Sequence, residues 1–302
     1  MKVAVIGAGG FVGQRVAARL AADADITSLA LVDRVAMPGG DGVTTYVGDF
    51  ADAGLREAAL DGADAVIVLA SILGGAAEAD YALARAVNVD ATLDLFEYLR
   101  DRRPGVRVVF ASTIAVYGTP FPEVVTDATP FAPTMIYGAQ KLMMEVALSH
   151  FTARGWLDGV SLRPSGVMAR DGADAALKSA FMSRLFWCVK RGEDITLPVA
   201  EDSRSWMASV GNVAANFVQA AKLDQVGPVT AFTLPALALT FGELVAALKA
   251  RFPDSPSRIS FAPDPDTVAL FGAYPRLETE TADRLGFARD ADAKALVDAA
   301  LI

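Results

Sequence analysis

Histidine and cysteine are almost missing from this chain, with one of each, His150 and Cys188, in 302 residues. A lone cysteine excludes a disulfide framework and a cysteine-rich metal site. A lone histidine excludes a His-cluster metal centre, and it excludes Ser-His-Asp catalysis unless His150 is the base. His150 ends a helix-like run, the place of a satisfied or solvent-facing side chain, and no metal site is expected. Cys188, between Trp187 and Val189, reads as a buried apolar thiol. Basic residues are in deficit too: 27 Lys and Arg stand against 36 Asp and Glu, for a formal net charge of -9 with no basic cluster. That balance argues against a nucleic-acid partner. Long hydrophobic runs are also lacking. The longest weakly polar stretch, 65–77, is too short to span a bilayer and holds two glycines. The N-terminal MKVAVIGAGGFVG is broken by glycine and is not read as a signal peptide, so a cytoplasmic protein with no membrane partner is expected. Internal repeats and low-complexity tracts are absent.

What remains is a chain of 53% hydrophobic residues, at the length where one core gives way to a large domain and a smaller lobe. Short β-branched runs at 2–6, 29–32, 44–47, 65–69, 106–110 and 159–162 alternate with helical periodicity at 11–22, 52–60 and 76–102, and in a helix running to about 153. The long helical region stops before Pro104. Continuous apolar strands alternating with helices predict an α/β fold, a doubly wound parallel sheet of the Rossmann kind. After Pro164 the rhythm becomes irregular, with helices expected at 175–191, 210–221, 241–250 and 292–301 and short strands at 195–199, 229–234 and 258–261. The division expected is a dinucleotide-binding domain over 1–165, rejoined by a helix near 208–222, and a substrate-binding lobe over 166–302.

The first strand runs into Gly7-Ala8-Gly9-Gly10-Phe11-Val12-Gly13 and then a helix. Glycines at 7, 10 and 13 allow a tight turn, close approach of backbone to a pyrophosphate, and close packing of helix on strand. Asp33 ends the second strand, where a carboxylate accepts from ribose hydroxyls and repels a 2'-phosphate. NAD is therefore favoured over NADP, with Arg34 as the counter-argument. Asp49, past the third strand, is placed either to contact the adenine amine or to cap the following helix. Farther on, Tyr137-Gly138-Ala139-Gln140-Lys141 spaces a phenol and an ammonium four residues apart. On a helix the two share one face. A fixed positive charge there lowers the phenol pKa from about 10 toward the working pH of a general acid/base; the alternative is a surface pair that merely shares that face.

These motifs, together with Ser112-Thr113-Ile114-Ala115-Val116-Tyr117-Gly118 after the fifth strand, make the chain resemble the extended short-chain dehydrogenase/reductase family over essentially its whole length. The resemblance implies that Thr113 hydrogen-bonds the reacting oxygen with Ser112 beside it. It implies that Tyr137 is the acid/base and that Lys141 binds the nicotinamide ribose and lowers the tyrosine pKa. It further implies NAD contacts from Gly7, Gly10, Phe11, Val12, Gly13, Asp33, Asp49, Phe50, Leu69, Ala70, Ser71, Asn88, Ala111, Tyr137, Lys141 and Pro164. Asn88 is expected to bridge structurally to a neighbouring strand.

Within the family the chain looks most like members that oxidise the 2-hydroxyl of a four-carbon sugar acid, through Ala79-Asp80-Tyr81, the 120–123 segment and Asp202-Ser203-Arg204-Ser205-Trp206. It departs from them at Arg170-Asp171-Gly172-Ala173-Asp174 and at Met207. A sugar acid needs a cation, since a buried unpaired charge is costly. Arg204 is the first choice and Arg170 the second, with Ser71 in a wall formed by 71–74, and Arg163 is read as structural. A nucleotide-sugar epimerase or dehydratase, a non-catalytic NAD-binding interaction protein, and an aromatic or aliphatic alcohol substrate, given Trp187, Trp206 and Met207 near the expected cleft, are the alternatives. In the resembled family the helices at 76–102 and 136–153 pair across a homodimer, which is expected here too.

Overall fold

Strands form where β-branched apolar runs are bounded by glycine or acid, and the computed structural model, which describes residues 1–172 and 179–301, orders them as follows. The chain opens with β1 (Lys2–Ile6), α1 (Phe11–Ala21), β2 (Ser28–Asp33), β3 (Val43–Val47), α2 (Ala53–Leu60), β4 (Ala65–Val68), α3 (Gly74–Ala79) and α4 (Tyr81–Arg85). A π-helical turn (Ala86–Ala91) leads into α5 (Thr92–Arg102), β5 (Arg107–Ala111), a 3-10 turn (Ile114–Val116), β6 (Val124–Val125), α6 (Ile136–Ala153) and β7 (Asp158–Arg163). There follow β8 (Gly166–Met168), α7 (Ala180–Arg191), β9 (Ile195–Leu197), β10 (Arg204–Ser209), α8 (Val210–Lys222), β11 (Ala231–Thr233) and β12 (Leu237–Thr240). The last elements are α9 (Phe241–Arg251), β13 (Ile259–Phe261), α10 (Pro265–Phe271), β14 (Arg276–Leu277), α11 (Glu280–Arg284) and α12 (Ala293–Ala300).

The described residues divide into two compact units, the first made of Met1–Val116, Pro133–Arg163 and Ala214–Thr233. Its seven strands lie in the order β11-β7-β5-β4-β1-β2-β3, all parallel, as a doubly wound α/β sheet requires. Every residue of β4 is buried, which is why the sequence there runs Ala-Val-Ile-Val with no polar alternation. The core continues through Leu95, Phe96 and Leu99 of α5, with the Phe96 ring edge-on to Phe110 at 5.9 Å. A buried phenylalanine is worth roughly 1.5–3 kcal/mol. The order of strands reverses between β1 and β4, and ligands of such sheets collect beyond the carboxyl ends there.

The second unit holds the remaining described residues, including 117–132, which the sequence reading kept with the first domain. It carries a three-stranded sheet, β12-β10-β8, and a core of Met168, Phe181, Leu185, Phe186, Leu197, Met207, Phe241, Leu244 and Leu296. Strand β10 escapes sequence reading because Arg-Ser-Trp-Met-Ala-Ser shows no two-residue alternation. It is buried from Ser205 to Ser209, and Ser209 is made compatible with that by Asp290, which accepts from its hydroxyl at 2.6 Å and its N–H at 2.8 Å. The helix expected at 76–102 is not continuous. It breaks at Asp80 (φ -137), whose carboxylate accepts from Leu83 N–H and starts a new helix, and the backbone widens into the π turn six residues on. The helix expected at 175–191 starts at Ala180 as described, and 175–178 lie outside the described residues, as do Ala173 and Asp174.

Candidate active site

The glycine loop is built by close approach. Gly7 has φ 86, and a Cβ on it would sit 2.5 Å from the Ala70 nitrogen, so the loop rests directly on the chain leaving β4 at Leu69 and Ala70. A Cβ on Gly13 would lie 2.1 Å from the Gly7 oxygen, so α1 can pack on β1 only with glycine there. Gly10 precedes α1 with no side-chain cap, the kind of helix start that suits an anion. Asp33 faces the same loop, accepting from Gly9 N–H at 2.8 Å and Val35 N–H at 3.1 Å. Bare backbone, uncapped helix amides and a carboxylate at the end of β2 together suit a dinucleotide. Phe11 and Val12, half-buried, begin α1 beside it, and Arg34 is exposed. Phe50 has its ring in the core. Asp49 is exposed and accepts from Ala51 N–H at 2.9 Å, while the cap of α2 is Asp52, which accepts from Leu55 N–H at 2.8 Å. The helix-cap reading of Asp49 is thereby corrected.

Helix α6 carries the tyrosine and lysine. A Cβ on Gly138 would fall 2.4 Å from the Ala115 oxygen, so its first turn lies flush on the Ile114–Val116 turn that follows Ser112 and Thr113 at the end of β5. At its start, Glu78 of α3 accepts from Ile136 N–H at 2.7 Å. Farther along, Glu145 grips Arg163 of β7 with bonds of 2.6, 2.9 and 3.1 Å, both side chains buried, so Arg163 is structural as expected. Tyr137 is half-buried and Lys141 is 1% exposed. The Lys141 Nζ lies 4.6 Å from the Phe110 ring centroid and 5.7 Å from that of Tyr137. Burial drives the lysine pKa from 10.5 down to about 7 against the opposing pull of Glu145. The positive charge expected to be fixed beside the phenol thus titrates near neutrality.

Thr113 Oγ1 accepts from Ala115 N–H at 3.1 Å, which leaves its own hydrogen to donate. Ser112 Oγ is buried with no hydrogen-bond partner among the described residues. Asn88, wholly buried on the π turn, accepts from Ile72 N–H at 2.8 Å and donates to the Ile72 oxygen at 3.0 Å and to Gln140 Oε1 at 2.8 Å. It bridges to the loop after β4 and to α6. A π turn inside an α-helix often marks a functional position.

The glycine loop, Asp33, Leu69, Ala70, Ser71, Asn88, Ala111, Ser112, Thr113, Tyr137 and Lys141 all belong to the first unit. Pro164, Arg170 and Arg204 belong to the second. There the Arg170 backbone N–H donates to Ser183 Oγ at 3.2 Å. Arg204 is exposed at the start of β10, and Glu243 is near enough to feel it: its carboxyl is held low by Thr240 first and by Arg204 last. Met207 and Trp206 are core residues. The Trp206 ring packs on Phe121 and Tyr274 and donates to the Pro275 oxygen at 2.7 Å, while Trp187 donates to the Ala169 oxygen at 3.0 Å. His150 is exposed and Cys188 buried, and among the described residues no cluster of His, Cys, Asp and Glu could hold a metal. No helix among them is long and apolar enough to cross a membrane. Gln140 and Glu78 were missed from sequence; the first lies inside the Tyr-Lys motif, and the second becomes visible only when α3 packs on α6.

Residues 3–232 match the model of the NAD dependent epimerase/dehydratase family. The chain is 32% identical over 303 residues to a D-erythronate dehydrogenase of Haemophilus influenzae, covering 97% of this chain and 96% of the relative. It is 33% identical over 307 residues to a D-erythronate dehydrogenase of Cupriavidus necator, covering 96% and 95%. Among solved structures, a nucleoside-diphosphate-sugar epimerase from Agrobacterium tumefaciens superposes with a TM-score of 0.88 at 29% identity, over 98% of this chain and 92% of that one. With the cradle for a dinucleotide already laid out by Gly7, Gly13 and Asp33, the chain belongs to the NAD dependent epimerase/dehydratase family, enzymes of the short-chain dehydrogenase type that work with a nicotinamide dinucleotide.

Proposed function

We propose that this enzyme oxidises a secondary hydroxyl of a small sugar acid, D-erythronate or a close analogue, taking the 2-hydroxyl to a 2-oxo group with NAD. The observation that carries the chemistry is Lys141, buried beside the Tyr137 ring on the helix whose first turn rests on Ala115, just after Ser112-Thr113. The substrate class is supported by the two D-erythronate dehydrogenases that match over nearly the whole chain. Bound dinucleotide supplies the hydride acceptor. Thr113 and Ser112 hold the substrate hydroxyl, and Tyr137 as phenolate removes its proton. Protonated Lys141 steadies the phenolate and holds ribose hydroxyls. General acid/base help of this kind is worth roughly 10² to 10⁴ in rate. Asp33 receives the adenosine ribose hydroxyls and repels a 2'-phosphate, so NAD is preferred to NADP despite Arg34. The substrate carboxylate needs a cation, a role that falls to Arg204 and then Arg170, because a guanidinium meets a carboxylate with two parallel bonds. A homodimer through 76–102 and 136–153 completes the reading, supported by the exposed apolar side chains of Tyr81, Leu83, Met143 and Val146.

The test is NADH absorbance with D-erythronate and NAD or NADP, for the native enzyme and Tyr137→Phe. Turnover with NAD is expected, at least tenfold weaker with NADP, and lost in the variant while NADH still binds by fluorescence titration. Undiminished turnover by Tyr137→Phe overturns the assignment. Conversion of a nucleoside-diphosphate sugar without net NADH, alongside inactivity on sugar acids, would replace the substrate class with that of the epimerases.

A further inference from the structure

Gln140 takes no part in the reaction just described, yet it is 4% exposed in the middle of the Tyr-Lys motif. Its orientation is dictated from outside. The Ile72 N–H needs an acceptor and finds Asn88 Oδ1 at 2.8 Å, which turns the Asn88 amide nitrogen the other way. That nitrogen gives one hydrogen to the Ile72 oxygen at 3.0 Å and has a second to place in a buried site. Gln140 Oε1 takes it at 2.8 Å. The cost falls on Gln140, whose Nε2 is buried with no hydrogen-bond partner among the described residues. A side chain chosen for packing alone would carry no such debt.

The segment so held is not remote. Ile72 lies two residues beyond Ala70, on which Gly7 rests, and α3 begins at Gly74, where a Cβ would meet the Met135 side chain at 3.1 Å. Residues 70–78 therefore touch the glycine loop at one end and the start of α6 at the other, through Glu78 and Ile136. Between those ends the chain Ile72–Asn88–Gln140 bridges the loop to the helix interior by side-chain hydrogen bonds.

We infer that Gln140 is a positioning residue: through Asn88 it fixes the Ser71–Leu73 segment against α6, and so sets where the wall after β4 stands relative to Tyr137 and Lys141. The inference rests on the reading of that pair as the acid/base couple. Gln140→Leu keeps the volume and removes the acceptor, and Gln140→Glu keeps an oxygen there. Two measurements separate the claims. Amide hydrogen exchange of peptides covering 69–75 needs no substrate: Gln140→Leu is expected to speed it by about tenfold, the size of one lost net hydrogen bond, and Gln140→Glu to restore most of the protection. Asn88→Ala should open the same peptides, and adding Gln140→Leu to it should change nothing further, because both act through one chain of bonds. Where the native enzyme oxidises D-erythronate, kcat of Gln140→Leu should fall about tenfold while NADH affinity stays within about twofold. Unchanged exchange in Gln140→Leu, multiplicative losses in the double variant, or an equal fall in NADH affinity and kcat would each overturn the positioning role. If no sugar acid is turned over by the native enzyme, the exchange result still decides for or against the bridge. Should Gln140→Leu fail to fold, Gln140→Glu and Asn88→Ala carry the comparison.

Discussion

Lys141 spends part of its time uncharged at neutral pH, and the reason is where it sits. Its Nζ has aromatic faces around it, and the nearest carboxylate on its own helix, Glu145, is already committed to Arg163. With a folded pKa of about 7 against 10.5 in the unfolded chain, the unfolded state holds the extra proton between those values. Stability contributed by this group therefore rises as pH climbs from about 7 toward 10.5, and below about 7 the cost of burying the ammonium is present in full. Lys141→Met removes that cost. Urea unfolding at a series of pH values should show the variant gaining most over the native protein at pH 6 and progressively less by pH 9; a gap independent of pH would contradict the depressed lysine. The Ser112 hydroxyl is the opposite case, a buried polar atom with no hydrogen-bond partner among the described residues, and its position at the end of β5 was legible from the motif while its isolation was not.

At the level of elements, the first turn of α6 is set by one missing side chain. Glycine to alanine inside a helix usually stabilises by about 0.5–1 kcal/mol. At Gly138 the added Cβ would stand 2.4 Å from the Ala115 oxygen, so the turn must lift from the 114–116 segment and carry Tyr137 with it. Displacements of about 1 Å cost on the order of 10² in rate. Gly138→Ala should therefore keep its circular dichroism and lose about that factor in kcat/KM; full activity would show that the contact can relax. The same contact explains what a sequence reveals and hides. Strands such as Ala65–Val68, buried on both faces, announce themselves through composition, and the glycine loop announces itself because the close approach of Gly13 to Gly7 lies within one short motif. Strand β10 is silent because its buried Ser209 is satisfied by Asp290, eighty-one residues later. The break at Asp80 is hidden in an alanine-rich stretch that favours helix on both sides. Glu78 and Gln140 act across α3, the π turn and α6, contacts that only the folded packing brings together.

For the molecule as a whole, the exposed apolar side chains are not scattered evenly. Met143 and Val146 on α6 are 53% and 63% exposed, and Tyr81 and Leu83 on α4 are 57% and 42% exposed. A protein with formal net charge -9 has no need of four such groups in water unless something covers them. Sedimentation at micromolar concentration should give twice the 31.6 kDa of one chain, and Val146→Asp should shift it toward that single mass. A single-chain species from the native protein would remove the dimer from the reading.

Arg107 gives the sheet a further consequence, in the order of synthesis. Its guanidinium, nearly enclosed, donates to the Ala220 oxygen at 2.6 Å and the Leu223 oxygen at 2.7 Å as well as to Asp158, and β11 does not join β7 until residues 231–233. A ribosome that has made the glycine loop, the tyrosine and the lysine has thus not yet made the parts that close the sheet holding them. The sheet of the dinucleotide half is closed late, by carbonyls and a strand lying well beyond Pro164, after the 117–132 and 164–213 segments of the second unit have been translated and before its last segment, 234–302.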